Sequence, residues 1–329
     1  MINKSEDKPL LEIKNLKVEY RTLEGIVYAV NGLDLSMKKG GAFGLVGETG
    51  AGKTTTALAT MGLLPVPPAI VTEGEIIFKD KDLLKISEKH YQTIRGNEIT
   101  MVFQNPISCL NPLITVGHQI AEVINHHQKI GIYEALKKAE KMLNLVGIPK
   151  ERLGNYPHQF SGGMKQRVMI AMAVACNPTI LIADEATTAL DVTIQAQIVD
   201  LLKKLINELK SSLLLITHDF GLVAELCDEV GVMYAGRIVE SGPITEIFDN
   251  FYHPYVKGLF EALPQFNQAA SRLKYISGLS PDPKHLPIGC SFSPRCSQAI
   301  PKCFKDMPEL ITSDNNHKTA CWNKLRGGN

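Results

Sequence analysis

An α/β fold is what the sequence predicts, and three observations carry it. A short apolar run, Ala42-Phe43-Gly44-Leu45-Val46, ends in a glycine-rich loop and passes into a helical stretch from Lys53. Two later apolar runs, Ile180 to Ala183 and Leu213 to Thr217, each follow a helical stretch, the pattern of a parallel sheet covered on both faces. Ahead of all three, Leu11, Ile13, Leu16 and Val18 are interspersed with Glu12, Lys14, Lys17 and Glu19, which gives Leu10 to Tyr20 the alternation of a half-buried strand.

The remaining elements follow in order. A second strand is expected from about Tyr28 to Met37, and the turn Lys38-Lys39-Gly40-Gly41 leads into the apolar run at Ala42. Glu75 to Phe78 reads as a further strand. After about Arg95 the pattern is mostly helical and amphipathic as far as Gly163, with Tyr133 to Val146 the clearest helix. From His253 onward, Pro254, Pro264, Pro281, Pro283, Pro287, Pro294, Pro301 and Pro308 interrupt any long element, so a small loop-rich appendage is expected. There is no internal repeat.

The chain has 329 residues, enough for about two domains at roughly 150 residues each. Hydrophobic residues make up 44% and charged residues 21%, which excludes disorder. The 35 basic and 34 acidic side chains nearly cancel, so the basic excess of a nucleic-acid binder is missing. The start has no signal-peptide pattern. The longest apolar run, Val168 to Cys176, falls far short of the roughly 18 to 20 residues that span a bilayer. A cytoplasmic chain able to dock on a membrane partner is expected. Seven cysteines, an odd number, argue against a disulfide framework.

Gly47-Glu48-Thr49-Gly50-Ala51-Gly52-Lys53-Thr54 satisfies the phosphate-binding pattern G-x-x-x-x-G-K-[ST] between a strand and a helix, the context that motif requires. Successive N–H groups of Gly47, Thr49, Gly50, Ala51, Gly52, Lys53, Thr54 and Thr55 are placed to cradle phosphates, and the helix start adds partial positive charge. Lys53 is expected to reach the β and γ phosphates and Thr54 to bind magnesium. Ile180 to Glu185 is an apolar strand ending in two carboxylates: Asp184 is the expected magnesium partner and Glu185 the base or orienter for an attacking water. In Phe160-Ser161-Gly162-Gly163-Met164, Ser161 can cap the following helix while Gly162 and Gly163 expose N–H groups, a second anion-binding helix start.

Two such sites in one chain resemble the P-loop and signature of an ABC-transporter ATPase. The family's Leu-Ser-Gly-Gly-Gln appears here as Phe-Ser-Gly-Gly-Met, with the serine and glycines intact. The resemblance implies a P-loop (RecA-like) core at 1–95 and 165–252 with an antiparallel β subdomain, an inserted helical subdomain at 96–164, and an appendage at 253–329. It implies that the signature of one subunit closes on ATP held by another. It further implies Gln104 as the Q-loop contact to magnesium and water, Asp191 in the D-loop Ala189-Leu190-Asp191, His218 as the γ-phosphate switch, and Tyr20, or else Tyr28, as the adenine stack.

Phe103 to Pro112, Asp184 to Gln197 (with Ala186 in place of the usual proline) and His253-Pro254-Tyr255 resemble the oligopeptide and dipeptide importer branch, which also includes nickel, microcin and glutathione importers. The match extends over about residues 8 to 325. That branch implies ATP hydrolysis driving solute import at the cytoplasmic membrane face, through two separate permease subunits, with a second ATPase chain, related or identical, and indirectly an extracytoplasmic binding protein. A soluble ABC ATPase of translation or DNA repair is the alternative, disfavoured by the single cassette and the absence of a heptad array.

In the appendage, Cys290-x5-Cys296-x6-Cys303-x17-Cys321 gathers four thiols. Four thiolates suit zinc or an iron–sulfur cluster. The tight zinc knuckle is absent, and the peptide-importer resemblance favours a [4Fe-4S] cluster; zinc and free thiols stay open. His285 and His317 are candidate substitute ligands. The cassette's chemistry does not require this module, so it is expected to stand apart from ATP binding.

Overall fold

The computed structural model describes residues 8–105, 109–186, 191–262 and 275–325. Pro106 to Ser108 of the Q-loop segment, Thr187 to Leu190 of the D-loop and Pro264 of the appendage lie outside the described residues. The chain divides into two compact units, one of residues 1–37, 43–82 and 218–329, the other of residues 38–42 and 83–217.

In the first unit, the strand Leu11–Thr22 runs antiparallel between Gly25–Met37 and Ala69–Phe78. Leu11, Ile13, Leu16 and Val18 are buried, as their alternation demands. The stretch from Arg21 to Val27, which blurs the choice between Tyr20 and Tyr28, is the tip of this hairpin, with Thr22 opposite Gly25. A second set of strands begins with Ala42–Val46, parallel to Glu229–Tyr234 over Phe43 to Val46. Arg237–Pro243 continues it antiparallel, and the two-residue strands Lys318–Thr319 and Ile311–Thr312 of the appendage extend it. The appendage thus completes a sheet that also contains the strand leading into the phosphate-binding loop.

In the second unit, Ile99–Val102, Ile180–Asp184 and Ser212–Thr217 form parallel neighbours in that order. All fifteen of their side chains are buried, which is why the last two read as unbroken apolar runs. The strand at Ile99–Val102 is a short exception within the region after Arg95 that the sequence reads as mostly helical. Four residues offer no alternation, and their apolar character fits a helix equally well. Helices Val116–Gln128 and Ile132–Leu145 lie beyond it; the latter buries Ala135, Ala139 and Leu143, one residue per turn along one stripe. Among the described residues, no helix is long and apolar enough to cross a membrane.

Candidate active site

The strand Ala42–Val46 delivers the chain to a loop in which backbone contacts leave no room for side chains at two glycines. A Cβ on Gly47 would lie 2.2 Å from the Met233 carbonyl oxygen, and one on Gly52 2.2 Å from that of Ala29, with Gly52 at φ +101°. The helix Lys53–Thr60 therefore starts on a glycine with no side-chain cap, which leaves its first turn suited to an anion. Lys53 is only 5% exposed, and its ammonium donates to the carbonyls of Gly47 at 2.7 Å and Glu48 at 3.0 Å. Thr54, beside it, is exposed. The Tyr20 hydroxyl is 3.4 Å from that of Thr55, so Tyr20 adjoins the helix that follows the loop. Tyr28 sits across the hairpin, with its N–H donating to the Pro283 carbonyl. His218 is exposed in the same unit, directly before Asp219, which caps the helix Phe220–Leu226.

The second unit carries the other sequence-predicted residues. Asp184 ends its strand 3% exposed. Glu185 follows with φ +46°, and its N–H donates to the Ile216 carbonyl at 2.8 Å, turning its side chain off the strand. The Gln104 amide donates to a Glu185 carboxylate oxygen at 2.7 Å, so the Q-loop and the expected water-activating residue are in direct contact. Ser161 accepts from the Met164 N–H at 3.4 Å and caps the helix Gly162–Val174. Phe160 is buried as the anchor before it, while Ser161 and Gly162 are exposed. A Cβ on Gly163 would lie 2.6 Å from the Ile194 side chain, so this glycine lets the helix Val192–Leu209 approach. Asp191 caps that helix through the Ile194 N–H at 2.9 Å.

The four appendage cysteines line one small cavity together with His253, Phe292 and Trp322. Burial raises the thiol pKa values of Cys290 and Cys296 and lifts Cys321 to about 11. Mutual repulsion of the thiols adds to each of these, Cys321 feeling Cys290, Cys296 and Cys303 together. A bound cation would reverse that pressure and favour thiolates, so the donor set suits a thiophilic metal group. Among the described residues, however, no group of three or more His, Cys, Asp or Glu side chains stands in position to hold a metal ion. The cysteines are thus grouped but not pre-arranged as ligands. The His317 ring is buried, pairs through Nε2 with Glu240 at 2.7 Å and stacks on Tyr252. His285 is exposed and pairs with Asp282.

Sequence reasoning missed Glu48, which occupies a variable position of the phosphate-binding motif, and Arg295, which precedes Cys296. The two form an ion pair at 3.0 Å. The appendage therefore does not stand apart from the loop as its sequence suggested. No local pattern announces a contact between residues so far apart in the chain.

The family described as ABC transporter matches residues 30–188, and the oligopeptide/dipeptide transporter C-terminal region matches residues 239–303. The dipeptide transport ATP-binding protein DppD of Bacillus subtilis (strain 168) is 47% identical over 95% of this chain and 94% of its own length. The oligopeptide transport ATP-binding protein OppD of Haemophilus influenzae (strain ATCC 51907 / DSM 11121 / KW20 / Rd) is 46% identical over 95% and 97%. Among solved structures, the ATP-binding cassette MJ0796, in a dimeric post-hydrolysis state bound to ADP and Pi, superposes with a TM-score of 0.64. It is 28% identical and covers 71% of this chain and 98% of that one. With a phosphate-binding loop, a capped Ser-Gly-Gly helix and a peptide-transporter C-terminal region in one polypeptide, this chain belongs to the ATP-hydrolysing, ATP-binding subunits of ABC transporters.

Proposed function

We propose that this chain powers the import of dipeptides and oligopeptides through a separate two-subunit permease, at the cytoplasmic face of the membrane. A second ATPase chain pairs with it, and an extracytoplasmic binding protein delivers the peptide. The observation that carries the reading is the coexistence, over nearly the full length of peptide-transport relatives, of the cassette and the peptide-transporter C-terminal region. The working division of the chain is a core at 1–95 and 165–252, a helical subdomain at 96–164 and an appendage at 253–329.

In this mechanism Lys53 leaves the carbonyls of Gly47 and Glu48 to take the β and γ phosphates, and the N–H groups from Gly47 to Thr55 hold the phosphate chain. Tyr20 stacks on the adenine. Thr54, Gln104 and Asp184 would hold Mg2+, which supplies charge neutralisation at the phosphates. Gln104 keeps the Glu185 carboxylate oriented toward the attacking water until nucleotide draws the amide away, and His218 contacts the γ phosphate. Ser161, Gly162, Gly163 and Asp191 act on ATP held mainly by the partner chain, which explains why Ser161 and Gly162 are exposed. Binding energy for the closed pair then biases the permease by linkage. In the appendage, Cys290, Cys296, Cys303 and Cys321, which share one cavity, would hold a [4Fe-4S] cluster as its thiolate ligands.

The test is peptide uptake in vesicles containing the reconstituted permease. Glu185→Gln is expected to retain ATP binding and lose at least about 99% of hydrolysis and uptake together, since general-base removal costs about 10²-fold or more. Uptake of peptide at the wild-type rate by this variant would remove Glu185 from catalysis. A complex that hydrolyses ATP but moves no peptide would remove the peptide assignment.

A further inference from the structure

We propose that Arg295 is a positioning residue for ATP: from the appendage it holds Glu48, and through Glu48 it presets the phosphate-binding loop and cancels a charge that would oppose the nucleotide. The proposal rests on that loop being the ATP phosphate site.

The guanidinium is held through all three of its nitrogens. Its Nη1 donates to both Glu48 carboxylate oxygens, at 3.1 and 3.0 Å, and to the Tyr234 hydroxyl at 3.2 Å. Nε donates to the Ser277 carbonyl at 3.2 Å and Nη2 to that of Ile276 at 3.4 Å. The Arg295 side chain is 8% exposed and that of Glu48 25%. It stands over the rings of Tyr234 and Phe292. The Ser280 hydroxyl donates to the same carboxylate. The fixed fork of an arginine suits this combination of carboxylate, hydroxyl and carbonyl partners, which a lysine could not reproduce.

Every polar group of Glu48 is committed. Its side chain is held by Arg295 and Ser280, its N–H donates to the Tyr255 hydroxyl at 3.2 Å, and its carbonyl accepts from Lys53 and from the Ala51 N–H. Tyr255 is itself buried, on the helix Pro254–Glu261. One residue therefore joins the appendage to the lysine expected to bind phosphate. A carboxylate inside an anion-binding loop works against a triphosphate, and a buried ion pair is a poor way to gain stability because desolvation offsets its attraction. Both objections vanish if the pair serves binding: Arg295 neutralises Glu48 and uses it as a handle on the loop.

The full-length chain tests this by nucleotide titration and steady-state ATPase kinetics, with melting temperature and thiol titre measured alongside. Arg295→Ala leaves the Glu48 charge unopposed and is expected to raise both the ATP Kd and KM about tenfold with kcat near wild type. Adding Glu48→Gln to Arg295→Ala removes the stranded charge and is expected to recover most of that loss. Arg295→Lys, which keeps the charge and not the fork, is expected to fall between. A lowered melting temperature with unchanged Kd and KM would overturn the proposal in favour of a purely structural brace. So would a weakened Kd that Glu48→Gln leaves uncorrected. Should Arg295→Ala not fold, wild-type Kd and KM in Arg295→Lys would overturn it equally. Lys53→Ala runs as the control: ATP binding at wild-type strength there would mean the loop is not the phosphate site, a failure of the underlying reading distinguishable from failure at Arg295.

Discussion

The phosphate-binding loop and the signature are both glycine-rich helix starts, yet the chain finishes only one of them. Around the loop, Gly47 and Gly52 are closed in by the backbone of Met233 and Ala29, Lys53 is buried on two carbonyls, and Glu48 is held from the appendage. At the signature, Ser161 and Gly162 face solvent, and a Cβ on Gly162 would meet nothing within 4 Å. The same local chemistry, N–H groups aimed at an anion, is pre-organised in one place and left open in the other. On the proposed mechanism, the difference separates the surface that takes its nucleotide from its own chain from the one that meets a nucleotide brought by a partner.

One methyl group breaks or upholds that comparison. Gly52→Ala forces a side chain against the Ala29 carbonyl in a left-handed conformation, so it is expected to reduce ATP affinity at least about 100-fold or to prevent folding, strain of this kind costing of order 1–3 kcal/mol before the clash is counted. Gly162→Ala fits the free chain. It is expected to leave melting temperature and monomer ATP binding unchanged while weakening ATP-dependent pairing with the second ATPase chain, measured by sedimentation of hydrolysis-arrested protein. If the two variants behaved alike, the open-versus-finished distinction would fail.

The cysteine module sharpens the comparison from the other side, because it lies in the unit with the finished loop. Anaerobically purified protein is expected to contain iron and sulfide in about equal amounts, as a [4Fe-4S] cluster requires. Serine at Cys290, Cys296, Cys303 or Cys321 is expected to remove both. Serine at Cys227 is expected to remove neither, since that residue is buried in the core and is not among the residues that line the cysteine cavity. Stoichiometric zinc without iron would replace the cluster and keep the four-cysteine site.

What the sequence made legible follows from how local each constraint is. The phosphate loop is readable because its glycines and lysine act within eight consecutive residues, and Ser161 because a helix cap is decided within one turn, whereas the cap that Asp191 makes is not read from the sequence. Ile180–Asp184 and Ser212–Thr217 are readable because complete burial writes itself as an apolar run. Ile99–Val102 is buried as fully but is too short to distinguish from helix. Glu48 and Arg295 are separated by 247 positions. Each has an ordinary local excuse, one as a variable motif position and the other as a charge in a loop, so only the fold joins them. The cysteines fall between these cases, since their clustering is visible in the chain while the cavity they share depends on how the appendage closes.

The smallest effect is expected at the adenine end, where the loop's pre-organisation should matter least. Tyr20 adjoins Thr55 at the start of the loop helix, whereas Tyr28 is placed by a backbone bond to Pro283. Stacking of a base on an aromatic ring is worth about 1–3 kcal/mol. Tyr20→Leu keeps the strand's apolar bulk and loses the ring, so ATP affinity is expected to drop about tenfold, the equivalent of about 1.4 kcal/mol. Tyr28→Leu is expected to change it by less than about twofold. Inorganic triphosphate, which has no base, should bind both variants as tightly as wild type, and competition between it and ATP separates stacking from damage to the loop. A larger loss in Tyr28→Leu than in Tyr20→Leu would transfer the adenine contact across the hairpin. Equal losses of triphosphate in both would mean that the hairpin supports the loop rather than the base.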